Sequence, residues 1–191
     1  MINAMIVDIE TCPIDLNKAK LLDDEDKLKL LNPIDSKIVA IGIRYNSENS
    51  IFQSENEVEI LEKFWLKWKS IRQGSSIIPV VGFNIVQFDI PFIVSRSFIN
   101  NITISPFTIK EIIDLREKIN AYRYGKSRGK LKEFAQLIGM TPLEIDGSQV
   151  MELCINKDYE KLKQYLEKDL EITEKIFERA SNLNITQIRR W

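Results

Sequence analysis

Two carboxylates at positions i and i+2, Asp8 and Glu10, stand at the end of a nearly uncharged, apolar opening run, in the stretch Val7-Asp8-Ile9-Glu10-Thr11. On a strand, side chains two apart share a face, so this spacing sets two negative charges side by side at the end of a hydrophobic strand. Like charges at that separation repel, and each loses hydration beside a dry core. The pair therefore calls for a cation, and a hard divalent metal with oxygen ligands suits it. The other reading of this stretch alone is that the strand has ended and both acids are solvated.

Two further positions carry the same tension. In Gly82-Phe83-Asn84-Ile85-Val86-Gln87-Phe88-Asp89, Asn84 leaves a strand and Asp89 falls in the first turn of a helix that begins at Gln87 or Phe88. An acid at a helix N-terminus is favourable by itself. Here it also lies just past a core strand, within reach of Asp8 if the two strands are parallel neighbours. On the last long helix, Leu162, Tyr165, Leu166, Asp169, Ile172, Thr173 and Ile176 recur at three- and four-residue intervals and share one inward face. A lone buried carboxylate there costs several kcal/mol, roughly, unless it is paired. Asp169 needs a cation, or else the helix is rotated to put it at the solvent boundary; Tyr165, one turn earlier, reaches the same pocket.

Composition narrows the chemistry. The 191-residue chain is 44% hydrophobic and 29% charged, enough for one domain, residues 1–191, with a sizeable core. It contains no histidine, which excludes Ser-His-Asp triads, His-ligated zinc and nucleases with a histidine base. Cys12 and Cys154 make neither a disulfide framework nor a zinc pattern, and a reducing cytoplasm fits them. No membrane span or signal peptide is apparent. With a net charge of −1, any nucleic-acid binding must come from local basic patches.

The elements that must position these residues follow from periodicity. Met1 to Ile9, Lys37 to Tyr45, Ile51 to Gln53 and Ile77 to Phe83 read as strands, the last with Pro79 marking an edge or bend. Thr108 to Leu115 reads as a fifth, ending in Asp114, a further acid for the site or a solvated strand end. Cys12 to Lys37, with its acidic cluster at 23–26, reads as a loop with one short solvated helix. Val58, Leu61, Phe64, Trp65 and Trp68 form a core-packing helix stripe. Tyr122 to Lys132 carries five basic residues and no acid. Arg123, Lys126, Arg128, Lys130 and Lys132 suit phosphates and Tyr122 or Tyr124 suits a base, unless the segment is simply a solvated loop. A helix capped by Gly139 follows, then one for which Ser148 is a candidate cap, then the long helix from Lys157 to Ala180.

Asp-x-Glu, Asn-(x)4-Asp and Tyr-(x)3-Asp, in this order, resemble the three motifs of 3′-5′ exonucleases with four acidic ligands and a tyrosine. Within that group the chain looks most like stand-alone proteins related to the proofreading exonuclease domain of family B DNA polymerases. The matching text is IVDIETCP, VGFNIVQFDIPFI, and IDGSQVMEL leading into YLEKDLEIT. The resemblance implies an α/β, ribonuclease H-like fold: a mixed central sheet flanked by helices on both faces. It implies two Mg²⁺ or Mn²⁺ ions, with Asp8 bridging them, Glu10 and Asp169 helping to hold the one that carries the attacking water, and Asp89 supporting the second. Tyr165 would orient the water, while Thr11, Asn84 and Phe88 would meet the terminal nucleotide. The implied activity is removal of nucleotides from the 3′ end of DNA, single-stranded by preference, alongside a replication or repair protein. A 3′-5′ exoribonuclease of the same tyrosine type and an inactive nucleic-acid-binding module are the competing expectations.

Overall fold

The computed structural model describes residues 3–73, 78–123, 129–143 and 147–190, the side chains of 147 and 148 apart. Five strands, Met5–Pro13 (β1), Ser36–Tyr45 (β2), Glu48–Gln53 (β3), Val80–Gly82 (β4) and Ile112–Asp114 (β5), make one sheet in the order β3-β2-β1-β4-β5. β1 and β2 pair antiparallel, as do β2 and β3, whereas β4 runs parallel to both β1 and β5. Asn46 and Ser47, both at positive φ (52° and 65°), form the two-residue turn between β2 and β3, matching the strands' right-handed twist.

Eight helices are described: Leu16–Ala19 (α1), Asp24–Lys29 (α2), Glu57–Arg72 (α3), Asp89–Ile99 (α4), Leu115–Ile119 (α5), Leu131–Leu137 (α6), Gly147–Ile155 (α7) and Tyr159–Asn182 (α8). Met5, Val7 and Ile9 of β1 face one core with Phe64, Trp65 and Trp68 of α3 and Phe92 and Ile93 of α4. Ala4 and Ile6 face the other, with Leu170, Ile172 and Ile176 of α8. The alternation along β1 thus serves two helical layers. Glu57 locks the first layer: it accepts from Ile38 N at 2.7 Å and Arg96 Nε at 2.9 Å, and from Asn100 Nδ2 at 2.9 Å, so β2, α3 and α4 share one buried carboxylate.

Several expectations are corrected. β1 runs to Pro13 because β2 keeps pairing with it through a bulge between Glu10 and Thr11, so Asp8 and Glu10 lie within the strand and not at its end. The segment after β1 forms two short helices, each opened by an aspartate: Asp15 accepts from Lys18 N and Asp23 from Asp26 N, both at 2.9 Å. β4 is an interior strand; Pro79 precedes it, and its carbonyl accepts from Met5 N at 2.9 Å. β5 is three residues long, after a 3₁₀ turn at Ile109–Glu111. Ser148 lies inside the first turn of α7, not at its cap. Cys12 and Cys154, expected to be free thiols, are joined in a disulfide, their Cα atoms 6.1 Å apart, because α7 packs on the end of β1. Among the described residues, no helix is long and apolar enough to cross a membrane.

Candidate active site

The sheet opens a notch where the acids sit. β4 pairs with β1 only at Met5 and Ile6 and departs after Gly82, leaving the next residues of β1 without a neighbour on that side. Asn84, in the left-handed region at φ 67°, turns the chain back so that α4 begins at Asp89 beside β1. Ile9 N, freed from sheet pairing on this side, donates to Asp89 Oδ1 at 3.2 Å and to Asp8 Oδ1 at 3.1 Å. Asp89 is 3% exposed, so the Asn-(x)4-Asp spacing delivers a buried carboxylate against Asp8.

α8 supplies the opposite wall. Asp8 and Glu10 point to the face it covers, where Tyr165 and Asp169 are both buried. Gly42 of β2, the register partner of Asp8, allows the close approach: a Cβ there would lie 2.6 Å from Leu170 Cδ1 and 3.1 Å from Leu166 Cγ. The sequence reading of β2 passed over this glycine, for which the signal is a Gly inside an otherwise β-branched strand. Gly42→Val is expected to push α8 from the sheet, costing about 1–3 kcal/mol by overpacking; chemical denaturation would measure it.

Four carboxylates therefore gather from three segments. Burial, then Asp89, Glu10 and Asp169, holds Asp8 well above the usual carboxylate range; burial, then Asp169, does the same to Glu10. Asp89 is pushed up to about 7 and Asp169 to about 6, each chiefly by burial. The Tyr165 hydroxyl, itself shifted far upward by burial and by Asp169, donates toward that carboxylate and favours its charge. Asp169 Oδ1 is nevertheless buried without a hydrogen-bond partner.

The donor set fits a hard divalent cation: all-oxygen, crowded with like charge, and holding one orphaned carboxylate oxygen. Among the described residues, no three acidic side chains stand arranged to hold an ion as they are.

Asp114 holds the notch without lining it. Buried at the end of β5, it accepts from Asn84 N and Val86 N, both at 3.1 Å, and from Glu117 N at 3.2 Å, fixing the turn that leads to Asp89. Arg116 Nη1 donates to Asn84 Oδ1 at 3.2 Å. Asp114→Asn puts an amide donor where an oxygen now accepts, so we expect about 1–3 kcal/mol of lost stability. Activity should fall further than in a control variant of equal stability, read as kcat against melting temperature.

Thr11 and Phe88 flank a groove of about 320 Å³ beside Glu10, walled by Leu28 and Leu31 at α2 and by Met151 of α7. Of the basic segment, Tyr124, Lys126 and Arg128 lie outside the described residues. Tyr122 lies under Lys118 Nζ, 5.5 Å from the ring centroid, with its hydroxyl 3.5 Å from the Ile188 carbonyl, so the chain's tail packs here. Arg123 is exposed, and exposed Lys130 precedes α6 with its N–H donating to Glu133 Oε2 at 2.7 Å. Lys132, read from sequence as a phosphate contact, enters the acidic centre, where its charge acts on Glu10 and Asp169 and its Nζ lies 4.8 Å from the Tyr165 ring centroid.

Sheet order and two helical layers define a ribonuclease H-like α/β fold. The chain belongs to the family described as predicted 3′-5′ exonucleases related to the exonuclease domain of PolB, which residues 36–185 match. It is 30% identical over 161 residues to the uncharacterized protein MJ0365 of Methanocaldococcus jannaschii, covering 77% of this chain and 87% of that one. Its fold is similar to the family B DNA polymerase from the hyperthermophilic archaeon Pyrobaculum calidifontis, with a TM-score of 0.70 at 16% identity. That similarity covers 95% of this chain and 25% of the polymerase.

Proposed function

We propose that the protein hydrolyses phosphodiester bonds stepwise from the 3′ end of DNA, single-stranded by preference, with two Mg²⁺ or Mn²⁺ ions held by Asp8, Glu10, Asp89 and Asp169. The observation that carries this reading is the convergence of those four carboxylates and Tyr165 from three separated segments. When bound, such ions acidify a water and stabilise the attacking and leaving oxygens of an in-line displacement at phosphorus.

The chain's own residues supply the rest. Tyr165 stays a neutral phenol, since its pKa is raised beyond its ordinary value, so it serves as a hydrogen-bond donor that orients the water and not as a base. The groove beside Glu10 suits the terminal nucleotide: its volume of about 320 Å³ stands at the small end of ligand pockets, and Phe88 offers a face for the base. Asn84, its side-chain oxygen held by Arg116 Nη1, would meet the terminal nucleotide from the turn before α4.

The test is degradation of a 5′-labelled single-stranded DNA and its RNA twin, with Mn²⁺, with EDTA, and with Asp8→Ala. We expect a ladder shortening from the 3′ end of the DNA, abolished by EDTA and by Asp8→Ala. Faster loss of the RNA would make the enzyme an exoribonuclease, and no shortening of either strand would overturn the reading.

A further inference from the structure

Among the described residues, Lys132 brings a cation into the acidic centre, and the sequence motifs assign it no such place. It sits at the start of α6, whose entry is fixed by Gly129 at φ 75°; a Cβ there would lie 2.5 Å from the Phe134 ring. Its Nζ is buried, has no hydrogen-bond partner, and lies 4.8 Å from the Tyr165 ring centroid. On the facing helix, Asp169 Oδ1 is buried and equally without a partner. Lys132 also holds the Glu10 and Asp169 carboxyls lower than they would otherwise stand. An ammonium buried without hydrogen bonds is costly, and among the described residues it is offset by the field of the acids and the face of one aromatic ring.

We propose that Lys132 is a built-in counter-ion that makes metal loading depend on substrate: its charge weakens divalent-cation binding until a phosphodiester enters the site. This inference rests on the metal-dependent reading of the same centre. The charges give the reason. Four ionised carboxylates are balanced by two divalent cations alone; with Lys132 present the filled site carries one positive charge in excess. One phosphodiester supplies the missing negative charge. Metal and nucleic acid then bind better together than apart, and by linkage each raises the other's affinity by the same factor. The ammonium need not leave, only turn from the acids toward the phosphate, which the three rotatable donors of a lysine permit.

The experiment measures Mn²⁺ affinity by calorimetry on the full chain, with and without a short single-stranded DNA whose 3′-terminal linkage is a phosphorothioate, which keeps its charge but slows cleavage. For the wild type we expect Mn²⁺ to bind about tenfold or more tightly with the oligonucleotide than without it. Lys132→Met, which keeps the aliphatic stem against Tyr165, should bind Mn²⁺ tightly alone and lose most of that coupling. Lys132→Arg, which keeps the charge, should retain it. If Lys132→Met does not fold, Lys132→Gln takes its place in the comparison. Equal Mn²⁺ affinity in wild type and neutral variant, coupling unchanged by the substitution, or no Mn²⁺ binding by either protein overturns the inference. These outcomes are read without turnover, whereas the exonuclease reading fails separately, on the absence of 3′ shortening by the wild type.

Discussion

Asp8→Ala is expected to lose about 10³-fold or more of its 3′-shortening rate, because several kcal/mol of charge stabilisation at the reacting phosphate are at stake. The same substitution is expected to stabilise the protein in EDTA at pH 8. Asp8 is held above the usual carboxylate range by burial and then by Asp89, Glu10 and Asp169, and Asp89 and Asp169 stand at about 7 and about 6. A carboxyl whose folded pKa is raised contributes stability below its unfolded value, near ~4, and that contribution is lost as pH climbs through the folded value. The wild type in chelator should therefore melt at lower temperature at pH 8 than at pH 5. A few kcal/mol distributed over a coupled cluster corresponds to roughly 5–10 °C for a chain of this length. Removing Asp8 removes one of the mutually repelling charges and should flatten that fall, while Mn²⁺ should restore the melting temperature of the wild type at pH 8 far more than that of the variant. Calorimetry across pH, with EDTA and with Mn²⁺, checks all three statements. A wild-type melting temperature that climbs from pH 5 to pH 8 in EDTA would contradict the account of the cluster.

Reducing the Cys12–Cys154 bond is expected to lower the melting temperature by about 10–20 °C. The cross-link closes a sequence separation of 142 residues, and chain entropy for so large a loop is worth about 5 kcal/mol; at this chain length each kcal/mol moves the midpoint by about 2–4 °C. Cys12 and Cys154 are both buried, in a cluster with Val150, Tyr165 and Leu166, so the bond fastens α7 to the strand carrying Asp8 and Glu10. Met151, four residues round the same helix from Ile155 and three before Cys154, lines the groove beside Glu10. Loosening α7 should therefore raise KM more than it lowers kcat. Calorimetry with and without a phosphine reductant, with alkylation to confirm that both thiols are free, makes the measurement; Cys12→Ala with Cys154→Ala repeats it without reductant. An unchanged midpoint after complete alkylation would show that packing alone holds α7.

The stripe Phe64, Trp65, Trp68 and the inward face of α8 were legible in the sequence because helical periodicity is local: residues three and four apart meet whatever the rest of the chain does. The acids were legible for a related reason, since a carboxylate embedded in an apolar run announces an unpaid electrostatic cost wherever the run ends up. The boundaries of β1 were not, because whether Thr11 to Pro13 stay in strand depends on β2 continuing to pair across a bulge. Nor was Asp114, whose three backbone partners come from 28 to 30 residues away and from its own helix start. The clearest divide falls at Cys12, Gly42 and Lys132. Composition alone gave two scattered cysteines, a glycine in a strand and one lysine among five basic residues. Only the seating of α6, α7 and α8 on one face of the sheet turned them into a cross-link, a close approach and a buried cation, because those contacts join residues far apart in the chain and no local periodicity encodes them.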